Sequence, residues 1–427
     1  DQVFDVFLAE PLEQYLIQLA LASRHPQAYG QQMQGWLEYG ASPRATAALD
    51  RCARARAWLR GRDYVDPEDI QAVAGDVQVL SICRRLNLPA ETVAGAHDVY
   101  AAVTAAPDPV QRGKEVLFLT QNKGAFVRLC PGTRHYTCCD YAILHIGTFC
   151  NMDCAYCIMQ SYFHPPVLQY FVNHGDLLGE LDRLIARRRI CRIGTGEFTD
   201  SLIWENWTDL SQILVSGFAA QDTVVLELKS KTTAIENFKA YTHHRKTILS
   251  WSLNTPRVIS RQERSTASLT ARLQAAARCE SWGYPLAFHF DPMLIYEGSE
   301  ADYRAVVQQL FTYVSPDNVV WISLGTFRFP PALKTVIEER FPESDIIYGE
   351  FVPGLDGKMR YFKPLRIEIY QKIITSIRYY APQTSIYFCM EDDEVWQKSL
   401  GFKASESGGL SQMLNEQAIK HCSLKLD

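Results

Sequence analysis

The chain has 427 residues, 47% hydrophobic, 21% charged and 11% aromatic, which excludes wholesale disorder, collagen and coiled coil and leaves room for two or three domains. Its 43 Lys and Arg against 48 Asp and Glu give a formal charge of -5, so any attraction to nucleic acid or anionic lipid must come from a local patch. No apolar run approaches the roughly 20 residues that cross a bilayer, and the N-terminal DQVFDVFLAE lacks a basic and then apolar leader, so the chain reads as cytoplasmic with no membrane partner and its 12 cysteines as ligands, redox groups or core fillers.

Residues 1–80 predict a small all-α domain. Apolar positions in LEQYLIQLALA recur at helical spacing, and a second helix runs from Arg44 to Arg60 behind a Ser42 N-cap and Pro43 at its first position. A third begins near DPEDI. Arg51, Arg54, Arg56, Arg60 and Arg62 read as a solvated face. No GxxxxGK(S/T) loop occurs, so nothing is set to cradle a triphosphate. Residues 81–114 read as a helical connector that ends in a linker, TAAPDPVQRGK.

From residue 115 to 427 strand and helix patterns alternate. EVLFLT, AILHIG, RICRIG, TVVLEL, TILSWSLN, LAFHFDP, NVVWISLG, DIIYGEF and SIYFCM read as strands, with helix-like DLLGELDRLIARR, SLTARLQAAARCESW and EADYRAVVQQLFTYV between them. The class is α/β, a partial (β/α) barrel with a C-terminal extension.

Directly after AILHIG stands Cys150-Asn-Met-Asp-Cys154-Ala-Tyr-Cys157. Three thiolates on one short loop suit an iron-sulfur cluster with one open iron, or a zinc knuckle completed by His145 or His164. The CxxxCxxC spacing, with an aromatic before the third cysteine, resembles the signature of the radical S-adenosylmethionine (SAM) superfamily. That resemblance implies a [4Fe-4S] cluster held by Cys150, Cys154 and Cys157, SAM at its open corner, a 5'-deoxyadenosyl radical as product, and an electron donor protein to start the reaction. Gly194-Thr-Gly196-Glu197 resembles the superfamily's glycine-rich segment against the methionine amino group. Thr199, Asp200, Lys229, Ser252 and Asn254 stand at strand ends and are expected to bind the cofactor as well.

The likeness narrows further. DYAILHIGTFCNMDCAYC, LNTPRVISRQERSTASLTARL, WGYPLAFHFDPM and the KMRY of Lys358 to Tyr361 make residues 113–389 similar to the spore photoproduct lyase family. The resemblance implies reversal of a UV-induced thymine lesion in DNA, with Tyr156 as a hydrogen relay and Arg360 and Tyr361 near the lesion. Two departures stand out. Glu197 occupies the position of the family's hydrogen-returning cysteine, a role no carboxylate can fill, and Ile158 replaces a tyrosine. Cys130, Cys138, Cys139 and Cys389 are the alternative thiols, and Cys130, Cys138 and Cys139 could instead hold a second metal. A different radical substrate, such as a modified nucleotide or a peptide, is the alternative reaction. Between Lys229 and Arg272 nine basic residues (229, 231, 239, 245, 246, 257, 261, 264, 272) face two acids, Glu236 and Glu263, a band expected to track DNA phosphates.

A second resemblance covers residues 8–78. WLEYGASPRATAAL and ARARAWLRGRDYVDPEDIQAVAGDV are similar to the C-terminal helical lid of MoxR-type AAA+ ATPases, in which Arg44 would sense nucleotide on an ATPase core that this sequence does not contain. It implies an AAA+ ATPase partner, and with it the non-enzymatic alternative of an interaction protein docked through the lid-like domain.

Overall fold

The computed structural model describes residues 2–24, 43–66, 78–79, 81–88, 90–91, 93, 95–130, 132, 136–406 and 408–425. At the N-terminus, helices Glu10–Arg24 and Pro43–Leu59 close a small core of their own around Val6, Leu16, Ala53, Ala57 and Val65. Arg54 and Arg62 pair with Asp50 and Asp66, each at 2.7 Å, instead of standing free on a face. The Ser42 cap, the helix near DPEDI and the side chain of Arg44 lie outside the described residues.

The linker expectation fails at residues 109–115. Pro109–Glu115 is a helix, because Asp108 caps it by accepting the Gln111 N–H at 2.9 Å and Pro109 fits the first turn. It carries Lys114 into the heart of the molecule.

Eight strands form one sheet whose spatial order follows the chain: β1 (Val127–Leu129), β2 (Ala142–Leu144), β3 (Cys191–Gly194), β4 (Val224–Ser230), β5 (Thr247–Ser252), β6 (Leu286–Met293), β7 (Val319–Thr326) and β8 (Ser385–Phe388). β1 runs antiparallel to β2 and every later neighbour is parallel. β1 and β8 do not pair, so the barrel stays open. Helices His174–Ile185, Leu210–Ala219, Leu269–Ser281, Ser299–Tyr313 and Lys363–Tyr380 supply the crossovers. Near-continuous apolar strands such as β5 and β7, buried along their whole length, are what a parallel sheet covered on both faces requires.

One expected strand is absent. Residues 345–350 of DIIYGEF turn back on themselves, with the Tyr348 N–H donating to the Asp345 carbonyl at 3.1 Å. Ile346 and Ile347 are buried as plugs in an apolar cluster with Cys154, Tyr156 and Tyr361. An apolar run marks burial, and burial does not require a strand. Only Phe351–Pro353 extends, in a three-stranded antiparallel sheet with Met359–Tyr361 and Arg328–Phe329.

Candidate active site

The cysteine loop is pinned from three sides. The Phe149 N–H donates to the Phe198 carbonyl at 2.8 Å as the chain enters with φ 71. Asp153–Cys154 then pairs antiparallel with Glu263–Arg264, and the Ala155 N–H donates to the Gln262 carbonyl at 2.8 Å. Beneath the loop, buried Lys114 donates from Nζ to the Cys150 carbonyl at 3.1 Å and to the Met152 carbonyl. It also lies 3.7 Å from Asp153 and 4.5 Å from the Phe149 ring centroid. Asp153 is shared with Arg340 at 2.9 Å. Lys114 carried no motif; the capped helix start at Asp108-Pro109 was the signal that could have found it.

Cys150, Cys154 and Cys157 line one cavity together with Tyr156, Gly196, Thr199, Asp200, Lys229 and Ser252. The non-cysteine residues come from the C-terminal ends of β3, β4 and β5, where barrel enzymes gather their chemistry. Burial, with the Asp200 carboxylate nearby, pushes the Cys150 thiol up to about 12, and burial raises Cys154 as well. Burial also raises Asp200, against N–H groups of Leu202 and Lys231 at 3.0 Å each and the Ser230 hydroxyl at 2.9 Å. Burial alone would lower Lys229, but the carboxylates of Glu197, Glu227 and Asp291 outweigh it and hold the ammonium charged. Lys231 and Ser230 line the same cavity, and Lys231 sits over the Tyr156 ring at 5.8 Å.

Three expected site residues fall elsewhere. A Cβ on Gly194 would stand 1.7 Å from the Tyr141 hydroxyl and 2.6 Å from the Glu227 carbonyl, so this glycine makes room for packing. Asn254 is buried and committed: its amide donates to the Pro292 carbonyl at 3.0 Å and its oxygen accepts from the Tyr303 hydroxyl at 2.7 Å. Glu197 is exposed and outside the cavity lining.

The aromatic of the motif is tied down as well. The Tyr156 hydroxyl donates to Glu263, whose other oxygen takes Arg272 at 2.5 Å, and both members of that ion pair are fully buried. Arg272 further donates to the Ser252 carbonyl at 2.8 Å, the Thr266 hydroxyl at 2.8 Å and the Ala267 carbonyl at 2.9 Å. One buried guanidinium thus joins the cysteine loop to the end of β5.

This overturns the single basic band. Arg272 is sealed in the core, Lys246 is buried against Asp222 at 2.5 Å, and Arg245 is consumed by the His421 and Gly283 carbonyls and Asn318. Lys229 and Lys231 face the cavity. A run along the sequence became a band only if the fold kept it on one face, and the strands of a barrel do not.

Arg360 and Tyr361, adjacent on a strand, face opposite ways. Arg360 is buried against Asp356 at 2.8 Å, the Met390 carbonyl at 3.1 Å and the Tyr136 ring at 4.3 Å. Tyr361 is stacked on Phe351 with centroids 4.4 Å apart and accepts from the Ile295 N–H at 3.2 Å.

Four further thiols gather beside Glu197. Cys130 and Cys389 both lie within its field and within each other's, and Cys139 feels Cys389. Burial pushes Cys389 up to about 12 and raises Cys130. Cys138, exposed, is drawn down to about 6 by the hydrogen bond from the Cys139 thiol.

The residues fit a cluster with SAM beside it. The Thr199 hydroxyl is buried on the cavity wall with no hydrogen-bond partner, a polar atom in want of a ligand. The donor set at the loop is three soft thiols, which suits an iron-sulfur cluster. The zinc alternative loses its fourth ligand: His145 is packed between the Phe171 and Phe198 rings, each 4.9 Å away, and burial lowers it to about 4, while His164 bonds the Ser161 carbonyl at 3.1 Å. Among the described residues no group of three His, Cys, Asp or Glu is arranged for a metal ion, which leaves the second-metal idea at Cys130, Cys138 and Cys139 without support.

Residues 134–386 match the family model for spore photoproduct lyase, and residues 34–78 match that of the AAA lid domain. The spore photoproduct lyase of Bacillus subtilis (strain 168) is 27% identical over 216 residues, 49% of this chain and 63% of that protein, so the matched segment spans less than two-thirds of its length. That of Clostridium acetobutylicum is 23% identical over 288 residues, 65% of this chain and 83% of the relative. Chaperone MoxR1 of Mycobacterium tuberculosis is 39% identical over 72 residues, 17% of this chain and 19% of its own. The solved structure of a spore photoproduct lyase double mutant with bound AdoMet and dinucleoside spore photoproduct superposes with a TM-score of 0.60 at 20% identity, covering 81% of this chain and 96% of that one; the shared fold is the half-barrel. No described helix is long and apolar enough to cross a membrane.

Proposed function

Given that the chain belongs to the spore photoproduct lyase family, we propose that it is a radical SAM lyase that repairs UV-type thymine lesions in DNA. The observation that carries this reading is the single cavity shared by Cys150, Cys154 and Cys157 with Thr199, Asp200, Lys229 and Ser252. When bound, a [4Fe-4S] cluster on the three thiolates and SAM beside it supply a 5'-deoxyadenosyl radical, which takes a hydrogen atom from the substrate.

The chain's own residues do the rest. Thr199 offers its unpaired hydroxyl, Asp200 a fixed carboxylate and Lys229 an ammonium for a carboxylate, while Gly196 keeps the wall low: a Cβ there would meet the Lys229 Cβ at 3.1 Å. Tyr156 orients the loop through Glu263, so its hydroxyl proton is committed to that carboxylate. Glu197, exposed at the rim, balances Lys229. For the hydrogen that must return to the product, the pKa directions separate the four thiols. Cys389, held near 12, keeps its S–H at neutral pH, whereas Cys138, near 6, does not, which favours Cys389 as donor with Cys130 beside it.

The N-terminal unit, similar to MoxR lids, is assigned to contact with an AAA+ ATPase partner, and an electron donor protein reduces the cluster. The replacement of the family's cysteine by Glu197 favours the second reading, radical chemistry on a modified nucleotide or peptide. Anaerobic turnover with SAM, dithionite and UV-irradiated spore-type DNA decides: 5'-deoxyadenosine with restored thymine supports lesion repair, 5'-deoxyadenosine with unchanged lesions supports the second reading, and neither product refutes both.

A further inference from the structure

The cavity that holds the cysteines is not the roomiest on the molecule. A separate cleft of about 270 Å³ lies between helix Pro256–Gln262 and the turn at residues 345–349. Its size is close to the lower bound of small-ligand pockets, about 300 Å³. Arg257 and Arg261, one helical turn apart and therefore on one face, line it, and both are exposed. Among the described residues Arg257 has no carboxylate partner and lies flat over the Tyr296 ring at 4.4 Å, and Arg261 has no partner of any kind. Across the cleft Tyr348 is 69% exposed, and Asp345 is the acid of the lining. The back wall is shared with the site already described: Tyr361 lines the cleft, Val258 packs with Cys154 and Tyr156, and the Gln262 carbonyl receives the Ala155 N–H.

We propose that this cleft is a subsite for one nucleotide of a DNA strand next to the one that enters the radical cavity. Arg257 and Arg261 would take its phosphodiester and Tyr348 would stack on its base. The inference rests on the reading that DNA is the substrate. Two guanidiniums without carboxylate partners match a phosphate bidentately, and an exposed aromatic beside them is the usual platform for a base. An acidic peptide would satisfy the arginines but has no use for the ring. The cleft takes over the role that the sequence had spread across nine basic residues, with two of them.

Fluorescence anisotropy of a labelled, lesion-free dT12 strand, titrated with the full chain at several salt concentrations, tests this. Arg257→Ala with Arg261→Ala should flatten the slope of log affinity against log salt by about 1.4, at about 0.7 per lost phosphate contact. Tyr348→Ala should weaken binding about tenfold with the slope unchanged, and Asp345→Asn should tighten it. Arg257→Lys with Arg261→Lys should restore most of the slope, and thermal midpoints near wild type check that each variant is folded. Wild-type binding with an unchanged double alanine variant overturns the subsite and leaves the DNA reading standing. A wild type that binds no strand at low salt overturns both. Displacement by polyglutamate as effective as by unlabelled dT12, with no loss in Tyr348→Ala, assigns the cleft to an acidic peptide and overturns the proposal.

Discussion

Arg272→Met tests whether the buried ion pair is what joins the cysteine loop to β5. In the native fold Arg272 and Glu263 are fully buried with N–O 2.5 Å apart, and the guanidinium also serves the Ser252 and Ala267 carbonyls. Removing one member of a buried pair costs about 3–5 kcal/mol, because the other charge is left uncompensated. The pH dependence carries a sign. Burial pushes Glu263 up, but Arg272, Lys231 and the Tyr156 hydroxyl outweigh it and hold the carboxyl below its ordinary 4.5. In the wild type this group therefore adds stability above 4.5 that is lost as pH falls through its lower native value. Without Arg272 burial dominates, the native carboxyl binds its proton more tightly than the unfolded one, and stability falls as pH rises past 4.5. The deficit of Arg272→Met should thus be larger at pH 7.5 than at pH 5. Adding Glu263→Gln should recover about 2 kcal/mol, since the orphaned charge is gone. Urea unfolding of the metal-free, reduced protein at both pH values measures all three quantities. A deficit below about 1 kcal/mol, or one that does not change with pH, would refute the reasoning.

Three other outcomes follow from the same geometry. Iodoacetamide should label Cys138 first, with the rate rising through an apparent pKa near 6 and labelling at pH 7 nearly complete before Cys389 reacts, as read by peptide mass spectrometry. Cys389→Ala should still cleave SAM to 5'-deoxyadenosine but lose repaired thymine by at least tenfold, whereas Cys138→Ala should keep both; equal repair by both variants removes Cys389 from its role. Lys114→Met withdraws a positive charge from beneath the loop, so the midpoint potential of the reconstituted cluster should fall by tens of millivolts in an EPR redox titration, on the order expected for one charge at an effective dielectric of about 20.

Much of the barrel is visible in the sequence because parallel strands buried on both faces are apolar throughout, as RICRIG, TILSWSLN and NVVWISLG are. DIIYGEF carries the same signature for a different reason, as Ile346 and Ile347 plug a second core from a turn. The cysteine spacing and the strand-end positions of Thr199, Asp200, Lys229 and Ser252 are local features, and local features survive into the site. Gly194 and Asn254 share that local logic, but their surroundings, Tyr141 in one case and Pro292 with Tyr303 in the other, come from distant segments. The partners that shape the site are all long-range: Lys114 reaches across 36 residues to Cys150, and Arg340 across 187 to Asp153. Charge counted along the chain fails for the same reason, since Lys246 and Arg272 point into the core while Arg257 and Arg261 face a cleft.

The account stands most directly on what Cys150, Cys154 and Cys157 bind. Iron and sulfide analysis with EPR on the anaerobically reconstituted, dithionite-reduced full chain should find about four irons per chain and a cluster signal that changes when SAM is added, all of it lost in Cys154→Ala. Stoichiometric zinc at the loop, or a cluster signal indifferent to SAM, would contradict it.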